Sequence, residues 1–378
     1  MTFGVLTLIV ACGLVGPLLS GASRLAVPVV VGEIAAGVLL GRTGLREIDT
    51  GDPTIVFLAD VGFAMLMFVV GTRLPLRDPG LRRALRGAAI ATALSFAIAV
   101  PAGWALAHAT TIKHPALFIL LVAASSSAVV MPILHERGLT GELLLATAWI
   151  ALVDIATIVA LPLALAPSRA VRIALGGVAV TAAAVAVVAG VRASHRNRAV
   201  RALRTNSGKR GWALDLRFSL LALFGLSALA TWFGTSILIA GFAAGMIVAL
   251  AGEPRRLTQQ LVGLAEGFFV PFFFVSLGAR LNFRSLASSR SDITLAVLLV
   301  VAIVACHVAI AVIMRMPWPA GLLASAQLGL PAGVVALGLT EGLLTPGEGA
   351  AIVAAAVVTL GVSSIGAAVL QRRLRCST

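Results

Sequence analysis

LLLATAWIALVDIATIVALPLALA, residues 143 to 166, is an apolar run long enough to span a bilayer, and it carries one carboxylate, Asp154, near its middle. An Asp at the centre of a membrane helix costs about 2.5–3.5 kcal/mol on insertion scales. A lone Asp among Ala, Ile, Val and Leu therefore belongs in a protein interior or a water-filled cavity, and a functional site is its default reading. The plainer alternative is a polar contact satisfied by a Ser or Thr hydroxyl on a neighbouring helix.

The rest of the chain has the same character. Of 378 residues, 60% are hydrophobic and 12% charged, with a mean hydropathy of +1.05. These values exclude a water-soluble domain and a disordered tail, and they describe an all-α polytopic membrane protein. At about 20 residues per span, the length holds about a dozen spans joined by short loops. No soluble regulatory domain is expected. The three cysteines have neither disulfide nor metal-ligand spacing. The formal charge of +14 comes mainly from arginines in loops between apolar runs, so lipid headgroups rather than nucleic acid are the expected partner. The apolar N-terminus lacks a basic lead-in and reads as a first transmembrane helix.

An apolar window finds thirteen segments: 3–22, 27–41, 54–71, 87–108, 115–134, 143–166, 170–191, 214–233, 235–251, 259–279, 292–314, 318–343 and 348–370. Segments 27–41 and 235–251 are short for a full span, which fits tilted or broken helices. Loops after odd-numbered segments, together with the C-terminal tail, hold 21 of the 29 Lys and Arg residues. That asymmetry supports thirteen spans, with the N-terminus outside and the C-terminus in the cytoplasm of a cell (inner or plasma) membrane. The basic connection RASHRNRAVRALRTNSGKRGWALDLR, 192–217, lies near the middle of the chain. The chain thus divides into a first half with its linking helix, 1–191, a basic cytoplasmic loop, 192–213, and a second half, 214–378.

The halves resemble each other. VPVVVGEIAAGVLL at 27–40 aligns with TSILIAGFAAGMIVAL at 235–250, and FVVGTRLPLR at 68–77 with FVSLGARLNFR at 274–284. The copies lie seven spans apart and so cross in opposite directions, as in an inverted repeat. The same offset pairs segments five and twelve. Each has an interior proline after a small or polar run: Pro132 in AASSSAVVMPIL, and Pro331 in ASAQLGLPAGVVALG. Proline removes a helix hydrogen bond, and matched interruptions in inverted halves mark a transporter's binding site. Pro132 and Pro331 are thus the expected helix breaks.

GEIAAGVLLG at 32–41, ADVGFAMLMFVVGTRL at 59–74, the serine run before Pro132, ALVDIATIVALPL at 151–163 and PFFFVSLGARL at 271–281 stand in the order seen in monovalent cation:proton antiporters. The chain resembles that family, of the bacterial sodium/proton antiporter and potassium-efflux type, over nearly its whole length. The resemblance implies a dimerisation domain and a core domain with two crossed, discontinuous helices, here segments five and twelve. It also implies a homodimer working by alternating access. Asp154 occupies the position whose carboxylate binds cation and proton in competition, so it is the candidate ligand for Na+, K+ or Li+. Ser125, Ser126 and Ser127 match positions that help hold the ion.

Two positions depart from the family pattern. Val153 replaces the polar residue that commonly precedes the essential Asp, and His307 stands where many members carry Lys. The pair has changed together, which favours a single carboxylate cycling between one proton and one cation. His307 is a candidate proton or coupling residue, or else a neutral histidine bonded inside the bundle. Glu33 is expected to hydrogen-bond at a helix it interrupts, with ion contact a lesser possibility. Glu266 is a candidate facing the cavity. Glu348, by the last outer turn, is expected to be solvated. Rival readings are a sodium-coupled organic-anion symporter of related architecture and a sensor or structural protein that has lost transport. No nucleophile, base and orienter stand together, so neither enzyme chemistry nor a cofactor is expected.

Overall fold

A computed structural model describes residues 1–22, 29–72, 79–127, 129–130, 134, 143–165, 170–196, 206, 214–233, 237–251 and 255–375. In chain order the helices are α1 (Phe3–Gly13), α2 (Val15–Ala22), α3 (Val29–Leu40), α4 (Pro53–Thr72), α5 (Pro79–Ala109), α6 (Pro115–Ala123), α7 (Leu144–Leu165), α8 (Ala170–Arg196) and α9 (Leu214–Trp232). They continue with α10 (Ile237–Ala251), α11 (Arg255–Leu264), a π-helical turn (Ala265–Phe269), α12 (Val270–Arg280), α13 (Phe283–Ser288), α14 (Arg290–Ile313), α15 (Trp318–Ala324), α16 (Gly329–Thr340) and α17 (Pro346–Arg375). There is no strand among the described residues. Nine helices among them are long and apolar enough to cross a membrane, and Val29–Leu40, Leu216–Trp232 and Ile239–Ala249 are shorter apolar helices. Most of the basic loop 192–213 and the proline at 132 lie outside the described residues.

The chain forms two compact units. One comprises Met1–Val56, Asp78–Leu165 and Phe274–Thr378. In it α5 packs along α6 and α7, and α14, α15 and α17 pack together. Its core is large: Trp149, Phe118 and Phe274 are fully buried. Several helix starts are set by local chemistry. Pro115 opens α6 where a missing N–H leaves no helical bond unmade, and the Ser289 hydroxyl accepts from the Asp292 N–H to cap α14. The second unit comprises Phe57–Arg77 and Ala166–Phe273, where α8, α9 and α10 contact one another.

The repeated motifs produce the same helix contact in both units. In the first, α12 crosses α3 so closely that a Cβ on Gly278 would lie 2.3 Å from the Ile34 carbonyl oxygen. In the second, a Cβ on Gly71 of α4 would lie 2.5 Å from the Phe242 carbonyl oxygen of α10. The alignment that matches the AAG triplets sets Ile34 against Phe242, so these are one contact made twice. Small residues let membrane helices approach backbone to backbone, which compensates for the absence of a hydrophobic driving force between helices in lipid.

Two expectations need correction here. Glu33 does not interrupt a helix, since α3 runs unbroken from Val29 to Leu40 with Glu33 buried inside it. Its neighbours Ile34, Ala35 and Ala36 are good helix residues, and neither a proline nor a run of polar side chains competes for the backbone. Glu348 is not solvated. Its carboxylate accepts the Thr111 hydroxyl at 2.6 Å and the Thr345 N–H at 2.9 Å, a cap for the first turn of α17.

The glycine contact can be tested directly. Gly278→Ala drives a methyl into a backbone oxygen and is expected to cost about 1–3 kcal/mol, the usual penalty for overpacking. Gly177→Ala, which has open space for the methyl, is expected to leave the melting point in detergent unchanged or slightly raised. Equal melting points for the two variants would contradict the close approach of α12 to α3.

Candidate ion site at two broken helices

Segment five stops being helical at Ala124, Ser125 and Ser126 and is helical again at Ser127. Segment twelve is interrupted between Ala324, the last residue of α15, and Gly329, the first of α16. In both, the break falls on small and polar residues upstream of the proline. Pro331 is the third residue of α16, within the first turn, where its missing N–H forfeits no helical bond. The proline therefore marks the restart of the helix, and the interruption begins earlier.

The two breaks hold each other. Ser125 donates its hydroxyl hydrogen bond to the Ala324 carbonyl at 2.6 Å. In return, the Gln327 side-chain amide donates to the Leu121 carbonyl and, at 2.9 Å, to the Ala124 carbonyl. Helix ends leave carbonyls without helical partners, and in lipid there is no water to take their place. Each break thus supplies donors for carbonyls at the end of the other half-helix. Gln327 was missed in reading the sequence, because one amide in ASAQLGLPAG stands next to a proline that draws the attention. The signal that could have found it was a polar, long side chain inside an apolar span, which needs a partner wherever it lies.

Asp154 comes to the first break from α7. Its Oδ2 accepts the Ser127 N–H at 2.9 Å and also the Ser127 hydroxyl. No hydrogen bond reaches Oδ1 among the described residues. The N–H belongs to the first turn of the restarting helix, where backbone donors lack helical partners and the positive end of the dipole favours an anion. Asp154, Ser125, Ser126, Ser127 and Gln327 are all buried, with Asp154 only 3% exposed. Asp154 and the serines read from the sequence are therefore together, and each of Ser125 and Ser127 has a distinct partner: Ser125 the opposite break, Ser127 the carboxylate.

His307 lies on α14 and is fully buried. Its ring packs 5.5 Å, centroid to centroid, from Trp149 of the Asp154 helix. Nδ1 donates to the Ile303 carbonyl one turn back, at 2.8 Å. Nε2 makes no hydrogen bond of normal geometry among the described residues. Trp149 in turn donates to Ser95 of α5 at 2.9 Å, which ties the histidine's neighbour to a third helix. Val153, beside the carboxylate, is fully buried.

The other candidates are placed differently. Glu33 is buried in α3, its Oε2 without a hydrogen bond among the described residues, and its chain packs beside Gly16 of α2. Glu266 is exposed on the π-helical turn of the second unit. Besides Glu33, the buried side-chain oxygens without a hydrogen-bond donor include Gln327 Oε1 and the Ser276 hydroxyl. A buried polar atom left in this way costs about 1–3 kcal/mol.

Comparison with known proteins gives the family and the fold. The family model described as "Sodium/hydrogen exchanger, transmembrane" matches residues 8–372. The chain is 30% identical over 281 residues to the glutathione-regulated potassium-efflux system protein KefC of Cronobacter sakazakii, covering 71% of this chain and 43% of that one. It is 27% identical over 264 residues to the Na(+)/H(+) antiporter NhaS5 of Synechocystis, covering 68% of this chain and 37% of that one. The chain thus spans less than half the length of these two relatives. Its fold is similar to that of the sodium proton antiporter MjNhaP1 from Methanocaldococcus jannaschii, with a TM-score of 0.63 over 96% of this chain and 95% of that one, at 16% identity. With the match running over nearly all of the sequence, this multi-pass membrane chain belongs to the sodium/hydrogen exchanger family.

Proposed function

We propose that this chain exchanges a monovalent cation for protons, with Asp154 as the shared site. The observation that carries the reading is the carboxylate itself. It is buried in an apolar span, held on one oxygen by the restart of a broken helix, and reached on the other by no hydrogen bond among the described residues. An ionised carboxylate in such a place needs a cation or a proton, and it cannot hold both. Competition for one site then couples the two flows, provided that the site opens to each side of the membrane in turn.

Oxygens from the breaks complete the ion's surroundings in this reading, as carbonyls and hydroxyls replace a hydration shell. Ser127 orients Asp154, and Ser125 keeps the opposite break in place. Relatives named for sodium/proton antiport and for potassium efflux make Na+, K+ and Li+ the cations to try, and their names favour exchange over sodium-coupled symport. His307 enters as a positioning group against Trp149, with Nε2 available to a proton. The protein is assigned to the cell membrane as a homodimer, with its N-terminus outside.

The deciding experiment is proton flux in proteoliposomes under an imposed pH gradient, with Na+, K+ or Li+ added in turn. The native chain is expected to dissipate the gradient on addition of at least one of these ions, and Asp154→Asn to fall to the level of empty liposomes. An active Asp154→Asn variant would sink the assignment. Competition also fixes the sign of a pH effect. Protons occupy the site as pH falls, so the apparent KM for the cation is expected to rise, by up to about tenfold per pH unit for one proton displacing one cation. Steady-state exchange measured across a pH series checks this, and a KM independent of pH would exclude competition.

A further inference from the structure

We infer that Gln327 is a second ion-binding residue, its side-chain oxygen reaching the cation from the break opposite Asp154. The inference rests on the exchange reading above and adds to it a ligand from the other half of the chain.

The amide's orientation is set by its partners. Nε2 has two hydrogens and faces two carbonyl oxygens, Leu121 and Ala124. Turning the amide over would place Oε1 against both of those oxygens, acceptor against acceptor, so Oε1 must be the outward end. That oxygen is buried and accepts no hydrogen bond among the described residues. Three neighbouring hydroxyls are committed elsewhere. Ser125 donates to Ala324, Ser127 to Asp154 and Ser325 to Leu322. The cavity that Gln327 lines, between α3, α12, α16 and α17, is otherwise lined by apolar residues.

A cation is the ligand that this arrangement suits. Among the described residues no donor reaches Gln327 Oε1, on the second break, or Asp154 Oδ1, on the helix that meets the first break. The half-helices α6 and α15 both end at these breaks, and helix C-termini carry partial negative charge. The Asp154 carboxylate already occupies the positive end of the restarting helix, so a further anion would be repelled by it. A monovalent cation stripped of water is held by such neutral and charged oxygens. A neutral amide has a further consequence. It adds affinity for the metal ion while offering no site for a proton, so it shifts the competition at Asp154 towards the cation.

The test separates this role from that of a cap. Gln327→Met removes both the oxygen and the donors, whereas Gln327→Glu keeps an oxygen in place but, ionised, cannot donate to Leu121 and Ala124. Each full-length variant is purified and its melting point measured in choline chloride and in the chlorides of Na+, K+ and Li+, since a bound ion stabilises by mass action. Exchange kinetics in proteoliposomes run alongside, with Asp154→Asn as reference. Both Gln327 variants are expected to melt below the native chain in choline. Gln327→Met is expected to lose the cation-specific melting shift and to raise the cation KM by about tenfold, the size of one polar contact. Gln327→Glu is expected to keep the shift and to stay within about threefold of the native KM. If Gln327→Glu loses cation affinity together with Gln327→Met, the amide is only a cap and the inference fails. It fails equally if Gln327→Met binds and exchanges like the native chain. Should the native chain exchange nothing, or Asp154→Asn exchange normally, the reading of Asp154 falls, and the melting shifts alone still decide whether Gln327 binds a cation.

Discussion

A helix broken inside a bilayer exposes carbonyl groups that no solvent can satisfy, and the rest of this site depends on how that is met. Here each interruption caps the other: Ser125 serves Ala324, and Gln327 serves Leu121 and Ala124. Leaving any one of these groups unpaired would cost about 1–3 kcal/mol. Breaking either helix alone would add that cost for each carbonyl left open, so the two interruptions offset each other where they meet. Their meeting is also what collects helix ends, hydroxyls and backbone donors around one carboxylate. The structural constraint and the proposed chemistry share the same atoms.

Much of this was readable from residue order because membranes simplify the alphabet. A carboxylate in an apolar span has few places to be, and Asp154 lies where that argument sends it, buried and bonded to Ser127. The pairing of segments five and twelve was likewise visible in their matched prolines. What composition could not reveal was the position of the breaks within those segments. Proline is a conspicuous helix breaker, yet at the start of a helix it costs no bond, and Pro331 sits there while Ser325 to Leu328 make the interruption. Gln327 stayed hidden for a related reason: its role depends on two carbonyls about 200 positions away. Glu348 was misjudged because burial of its carboxylate follows from a tertiary partner, Thr111, that no local pattern contains.

The glycine contacts follow a different logic. Ile34 with Gly278, and Phe242 with Gly71, are the same approach of backbones made by two copies of one motif. Lipid tails are as apolar as leucine, so helices in a membrane gain little by burying large side chains against each other. Close approach, which dispersion and weak polar contacts reward, requires that a side chain be absent at the crossing. A motif built on this survives in both halves because the geometry tolerates only glycine there, while the residues around it drift.

Val153 and His307 bear on the charge carried in a transport cycle. On the proposed reading one carboxylate binds either one proton or one monovalent cation, and both forms of the loaded site then have the same net charge. With Val153 apolar and fully buried, that position adds no second carboxylate beside Asp154. His307 would alter the balance only if it changed protonation within the cycle. Its Nδ1 proton is committed to the Ile303 carbonyl, so any such change must occur at Nε2, on a ring packed against Trp149. Through Trp149, which lies on the same helix as Asp154, the histidine packs against the element that carries the ion site.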